Sequence, residues 1–353
     1  MIDPTLRLID KIPAMEYNYF KNSVGDVMLK ATMMENKTQV KAAAERIYGT
    51  LPERPVHLSC ESKSFDPSFA AGKATFCKAN LILDLGDKEI YLPFISVIPK
   101  AKNPLPAIIY LSYEREIPNR FLPAEEIIDR GYAIFSLFID DVTKNSPDFK
   151  SGIARHIAQT RRKKLASGKI GLWAWAAMRL AEYVCDLEFI DKDKIIIAGH
   201  GILARSALLA SGNSEKCRYV IANCITEAPT PFSKNCRKSG LTVRDYSYLY
   251  SPAFADEPDI DEFEALIKIS SDEHLLLGFS EESNCVPSYN YLEKLRRGGE
   301  ISPNFAPENM QNEIPTATQC INDGDFSYHV RCGSDYFSRE DWNIYLDFID
   351  ENT

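Results

Sequence analysis

The chain has 353 residues, of which 45% are hydrophobic and 26% charged. That is the balance of a globular protein, long enough for one large α/β domain with insertions or for two smaller ones. Forty-one basic residues against 50 acidic ones leave a net charge of −9, which argues against nucleic acid or an anionic membrane as a general partner.

Residues 1–50 read as helical and amphipathic, most clearly in KTQVKAAAERIYG, which ends at Gly49. LPERP (51–55) breaks that pattern, so residues 1–54 are expected to form a helical extension and 55–353 a single α/β domain. VHLSCES, GKATFCKANLILDL and EIYLPFISVIP follow as strands, and the Gly86-Asp87 turn predicts antiparallel pairing.

From residue 105 the texture changes to apolar strands separated by helices. AIIYLS (107–112), YAIFSLFI (132–139), KIIIAG (194–199), RYVIANC (218–224), HLLLGFS (274–280) and YHVRC (328–332) are the predicted strands. Helices are expected at 123–130, 170–186, 203–212, 261–269, 287–297 and 339–350. Such alternation means a mostly parallel sheet with helices on both faces, the antiparallel strands extending one edge. The stretch 298–326 reads as a long polar loop near the carboxyl ends of the late strands, where ligands bind in this architecture.

No segment approaches about 18 consecutive apolar residues, so no membrane span is expected. MIDPTLRLIDKIPAMEYNYF lacks the layout of a signal peptide. The nine cysteines are an odd number without a CxxC pair, which fits reduced core thiols in the cytoplasm better than a disulfide or zinc framework. No GxxxxGK[ST], strand-linked GxGxxG or HExxH is present, so no nucleotide, dinucleotide or zinc cofactor is expected.

Residues 195–212, IIIAGHGILARSALLASG, have the shape of a nucleophile elbow, the tight strand-to-helix turn that carries the serine of α/β-hydrolases. The residue at its tip is Gly201. Glycine enters positive φ without the steric penalty that a serine bears there.

With IPNRFLPAEEIIDRGYAIFS (117–136), GKIGLWAWAAMRLAEYV (168–184), DKDKIIIAGH (191–200) and YHVRCGSDYFSREDW (328–342), the chain resembles α/β-hydrolases of the carbohydrate-esterase kind. The similar group contains glucuronoyl esterases and acetyl-xylan-esterase-like proteins. The resemblance runs from RIYGTLPERP (46–55) to DWNIYLDFI (341–349). It implies a catalytic serine, a histidine that takes its proton and an acid that orients the histidine. Matched to that pattern, the serine position holds Gly201 and the following arginine, expected to help hold the oxyanion, is Ile202. The acid position falls on Ser283, beside Glu281 and Glu282, and the base position on Asp335. His200 matches a position that is not the base, and an Asp-Gln-His pattern stands here as Asp261, Glu262, Phe263.

Joint loss of the three groups should leave almost none of the parent mechanism. The expectation is a non-catalytic member that binds a carbohydrate-like or other small ligand in the vestigial pocket, or acts through protein contacts. The alternative is a working esterase on acylated or esterified sugars with a rearranged site, built on Glu281 or Glu282 and a new nucleophile. Cys224 and Thr226 are expected at the pocket rim, and Cys285 and Cys332 near the other former triad positions; a thiolate there would need a nearby base. Asp335, Glu281 and Glu282 are expected to form a solvated acidic rim rather than a metal site. Ser206 reads as a buried or capping hydroxyl, His329 as structural, Trp173 and Trp175 as core, and RRKK (161–164) as exposed surface. Oligomeric state is not legible.

Overall fold

The computed structural model describes residues 38–225, 243–256, 258, 260–283, 286–287, 292–293 and 320–352. Two compact units divide the chain, Met1–Ala43 and Ala44–Thr353. In the first, residues 38–43 are helical. The second opens with helical residues 44–48, which stop at Gly49 (φ 88°) where the sequence placed the break.

In the second unit, ten strands form one sheet: β1 (His57–Ser68), β2 (Ala74–Asp84), β3 (Glu89–Pro99), β4 (Leu105–Ser112), β5 (Ala133–Phe138), β6 (Ile190–His200), β7 (Tyr219–Asn223), β8 (His274–Ser280), β9 (Cys320–Asp323) and β10 (Phe326–Arg331). Their order is β1-β2-β3-β5-β4-β6-β7-β8-β10-β9. The six strands from β5 to β10 in this order are parallel. The first three are antiparallel, β3 pairing antiparallel with β5, so the extension lies at one edge as the turn signals predicted. The other edge is also antiparallel, and here the sequence reading is corrected. Residues 320–323, read as the end of a polar loop, form β9 and pair with β10 through a turn at Gly324 (φ 58°). Their CIND sequence is too short to show alternation, and the ladder of β10 supplies the order.

Among the described residues, the longer helices that dress the sheet are α1 (Ala124–Asp129), α2 (Lys169–Cys185), α3 (Ile202–Ser211), α4 (Glu262–Ile269) and α5 (Arg339–Glu351). Most of the helix expected at 287–297 lies outside the described residues. The central strands are buried on both faces because helices cover both, which is why they read as unbroken apolar runs. On one face, Ile127 and Ile128 of α1 and Trp342, Tyr345 and Leu346 of α5 share a core with Tyr110, Ile134, Ala198 and Ile221. In α2 nearly every residue is buried, including Trp173 and Trp175, so the tryptophans are core as expected. This is a mostly parallel α/β-hydrolase sheet whose carboxyl ends carry the elbow and the loops after β4, β7, β8 and β10.

Candidate functional site at the elbow

The turn from β6 into α3 has the geometry that the sequence announced. Gly201 sits at φ 59°, ψ −121° as the N-cap of α3, a region that L side chains enter only at a penalty. Its N–H donates to the Asn223 carbonyl of β7 at 2.9 Å. Two residues earlier, a Cβ on Gly199 would lie 2.3 Å from the Leu203 carbonyl oxygen, so the helix can double back onto the strand only over glycine. His200, Gly201 and Ile202 are all buried. Ile202 therefore joins the core at the position where the resemblance puts an oxyanion-binding arginine.

A buried ionic group holds α3 from below. Arg205 is fully buried and Glu262 is 3% exposed. The Arg205 guanidinium donates to the Tyr250 hydroxyl at 2.6 Å and lies 3.3 Å from Glu262 Oε2. The hydroxyls of Tyr48 and Tyr250 donate to the two oxygens of Glu262 at 2.7 and 3.0 Å. Burial pushes the Glu262 carboxyl up, a push that Arg205 and the two phenols oppose. Glu262, which the sequence showed only as part of a departed Asp-Gln-His pattern, is thus the anion that anchors the elbow helix.

Ser283 and Asp335, which the resemblance matched to the acid and base positions, meet. The Ser283 hydroxyl donates to Asp335 Oδ1, as does the Ser280 hydroxyl at 2.6 Å. The Ser280 N–H donates to the Ser283 hydroxyl oxygen at 3.0 Å. Asp335 itself is half-buried. Glu281 and Glu282 are exposed, whereas Asp335, expected with them in a solvated acidic rim, is held by two hydroxyls; the backbone N–H groups of Glu281 and Glu282 donate to the Arg331 and Gly333 carbonyls.

Cys224 needs correction. It is fully buried rather than at a rim. It also holds φ 47°, a strained value for a residue with a side chain. Burial, then the negative charges of Asp335 and Asp341, push its thiol well above the usual thiol range, which is opposite to what a thiolate nucleophile requires. Cys332 is exposed, while Thr226 and Cys285 lie outside the described residues. Among the described residues, no group of three or more His, Cys, Asp or Glu side chains is arranged to hold a metal.

Two polar assemblies were missed at the sequence level. His200 Nδ1 lies 2.8 Å from Asn223 Oδ1, and the Asn223 amide donates to the Tyr345 hydroxyl at 3.3 Å. Farther along, His329 Nε2 lies 2.8 Å from Asp341 Oδ1, and Arg331 Nε donates to Asp341 Oδ2 at 3.1 Å. The Arg331 guanidinium also donates to the carbonyls of Cys332, Ser334 and Tyr336, so it shapes the loop that presents Asp335. Burial works against the Asp341 carboxylate, but His329 and Ser338 hold its carboxyl below the usual range. Asp341 also closes a capping box with Ser338 at the start of α5. The S-R-E-D spacing at 338–341 was the available signal, since an acidic residue three after a serine marks a helix start. His329 and Ser206 are structural as expected, the Ser206 hydroxyl donating to the Ile170 carbonyl at 3.2 Å. RRKK is only partly surface: Arg161 is half-buried and donates to the carbonyls of Ala166, Ser167, Ser247 and Tyr250.

Comparison with known proteins agrees with this fold. No family model matches the chain. A curated relative, "Carbohydrate esterase MZ0003" from an unknown prokaryotic organism, is 23% identical over 257 residues, 65% of this chain and 55% of the relative. The chain therefore spans little more than half the length of that relative. Among solved structures, a glucuronoyl esterase from Solibacter usitatus superposes with a TM-score of 0.72 at 18% identity, covering 90% of this chain and 91% of that one. A promiscuous CE15 esterase from the marine bacterial metagenome gives 0.70 at 16%, covering 90% and 91%. The chain has the α/β-hydrolase fold of these esterases and resembles carbohydrate esterases.

Proposed function

We propose that this carbohydrate-esterase-like α/β-hydrolase does not hydrolyse esters by a Ser–His–acid route, and that it uses its vestigial site to bind a carbohydrate-like ligand or a protein partner. The observation that carries this reading is the pairing of Ser283 with Asp335 in a chain whose elbow is tipped by Gly201. Acyl transfer needs a nucleophile, a base that takes its proton and an acid that orients the base. At these three positions the chain offers a hydrogen atom, a carboxylate already accepting two hydroxyl protons, and a hydroxyl. A carboxylate is a weak base at neutral pH, and no serine stands on the tip for it to serve.

The elbow's fold supports a binding role, because its geometry is fully maintained without its chemistry. The seven described cysteines, all unpaired, fit a cytoplasmic setting. Among the described residues, no helix is long and apolar enough to cross a membrane.

The test is to present p-nitrophenyl acetate and a methyl glucuronate ester to the purified chain, and to titrate it with uronic acids and xylo-oligosaccharides by calorimetry. Saturable binding or co-purification with a partner, without turnover above the buffer rate, is expected. Turnover that disappears on Glu281→Gln, Glu282→Gln or Asp335→Asn would instead establish the rearranged esterase.

A further inference from the structure

In an α/β-hydrolase the oxyanion hole takes one backbone N–H from the residue after the nucleophile and another from the loop between a strand beside the elbow strand and its following helix. Here those are Ile202 and the loop from β4 to α1, residues 113–123. That loop holds side chains against the elbow. The Tyr113 hydroxyl donates to the His200 carbonyl at 3.0 Å. The Phe121 ring packs on the His200 ring at 5.3 Å between centroids and on Tyr336 at 5.0 Å. Arg120 covers Phe121 with its guanidinium 4.7 Å from the ring centroid and pairs with Glu114 at 2.6 Å.

The loop is also tied at both ends. Ser112 and Glu114 exchange hydrogen bonds at its start, the Ser112 hydroxyl donating to the Glu114 carbonyl at 2.7 Å and the Glu114 N–H to the Ser112 hydroxyl oxygen at 3.1 Å. Near its end the Phe121 N–H donates to Asn119 Oδ1 at 3.0 Å, and the Phe121 carbonyl accepts from the Trp342 indole at 2.8 Å. The Tyr336 hydroxyl donates to the Arg120 carbonyl at 2.6 Å. In the sheet β4 and β10 are separated by β6, β7 and β8, so this last bond joins loops from strands on either side of the elbow strand.

We propose that residues 113–121, clamped to Tyr336, form a fixed strap that closes the oxyanion side of the elbow. The strap is a feature separate from the triad positions, since it covers the Gly201 tip whatever residue stands there. Tyr113 and Phe121 supply the cover, and Tyr336, Trp342 and Asn119 hold it in place. Serine occupies the same strained turn in active relatives of the fold, so cysteine fits there as a reporter.

The experiment compares alkylation of Gly201→Cys by iodoacetamide with and without Phe121→Ala, reading each cysteine by peptide mass spectrometry with Cys332 as the exposed reference. Truncating Phe121 removes the ring and leaves its backbone bonds to Asn119 and Trp342. The introduced thiol is expected to react about tenfold or more slowly than Cys332 while the strap is whole, because labelling then awaits local opening. It is expected to accelerate about tenfold or more when the ring is gone. Fast labelling with Phe121 present, or slow labelling unchanged by its removal, overturns the proposal. If the cysteine variant does not fold, hydrogen exchange at the Ile202 and Leu203 amides of the otherwise unaltered chain, with and without Phe121→Ala, separates the same two outcomes. Neither readout needs a ligand or turnover, so its failure leaves the loss of triad chemistry standing.

Discussion

The polar group beneath the elbow helix and the one at the ends of β8 and β10 are built on opposite principles. Beneath α3, the fully buried Arg205 meets Glu262, and two phenols complete the anion's hydrogen bonds. At the carboxyl ends of β8 and β10, in the crown of the sheet, Asp335 gathers two serine hydroxyls. The underside fixes where the turn stands, and the crown joins the ends of two strands by hydrogen bonds to a half-buried carboxylate. The underside can therefore keep the elbow in place whatever groups the crown carries, which is how the proposed loss of ester chemistry is compatible with an intact hydrolase frame.

The largest effect is expected from breaking the underside. Glu262→Leu strands the Arg205 guanidinium in the core, and loss of one partner from a buried ion pair costs about 3–5 kcal/mol. Denaturant unfolding should show that loss, and Arg205→Met added to it should recover much of the deficit. If Glu262→Leu is nearly neutral, the underside does not anchor the helix and the contrast with the crown collapses.

Next comes Asp341, which organises the base of the crown. Asp341→Asn should cost about 2–4 kcal/mol, because Arg331 then loses a buried charged partner. The acid limb carries a sign. The folded carboxyl titrates below its unfolded value, so its contribution is complete above about pH 4 and fades as pH falls through the folded value. Wild-type stability should therefore drop more steeply below about pH 4 than that of Asp341→Asn, as followed by circular dichroism across an acid titration.

Much of this was legible in the sequence, and the limits have physical causes. The central strands announced themselves because burial on both faces demands unbroken apolar runs. Gly199 and Gly201 announced the elbow because only glycine tolerates the close approach and permits the φ without strain. β9 was hidden, since four residues borrow their order from β10 and need no pattern of their own. Glu262 and Asp341 were hidden for a different reason. A buried carboxylate and an exposed one are the same letter, and only the partners brought from 48, 205, 250, 329 and 331 distinguish them. The meeting of Ser283 with Asp335 was anticipated as a pair of positions but not as a bond. The strap was missed because Phe121, the single aromatic residue of IPNRF, reads equally well as core.

The elbow itself separates the two kinds of glycine. Gly199→Ala would place a methyl group 2.3 Å from a backbone oxygen, which no rotamer relieves, and an overpacking cost of about 2–3 kcal/mol is expected. Gly201→Ala carries the conformational penalty of its φ, about 1 kcal/mol or somewhat more. Unfolding midpoints of the two variants should rank in that order. The reverse ranking would mean that the tip, not the packing beneath it, defines the turn.

The smallest effect belongs to the crown. Ser283→Ala removes one hydroxyl from Asp335 and the acceptor of the Ser280 N–H. The same oxygen of Asp335 keeps its bond from Ser280, and the carboxylate is half-exposed, so water can replace what is lost. A single hydrogen bond of this kind contributes about 0.5–1.5 kcal/mol, and the variant's unfolding free energy should fall by no more than that. A loss as large as that of Glu262→Leu would show that the crown is a structural core in its own right. A small loss joined to weakened ligand binding would mark Ser283 and Asp335 as the part of the old site still in use.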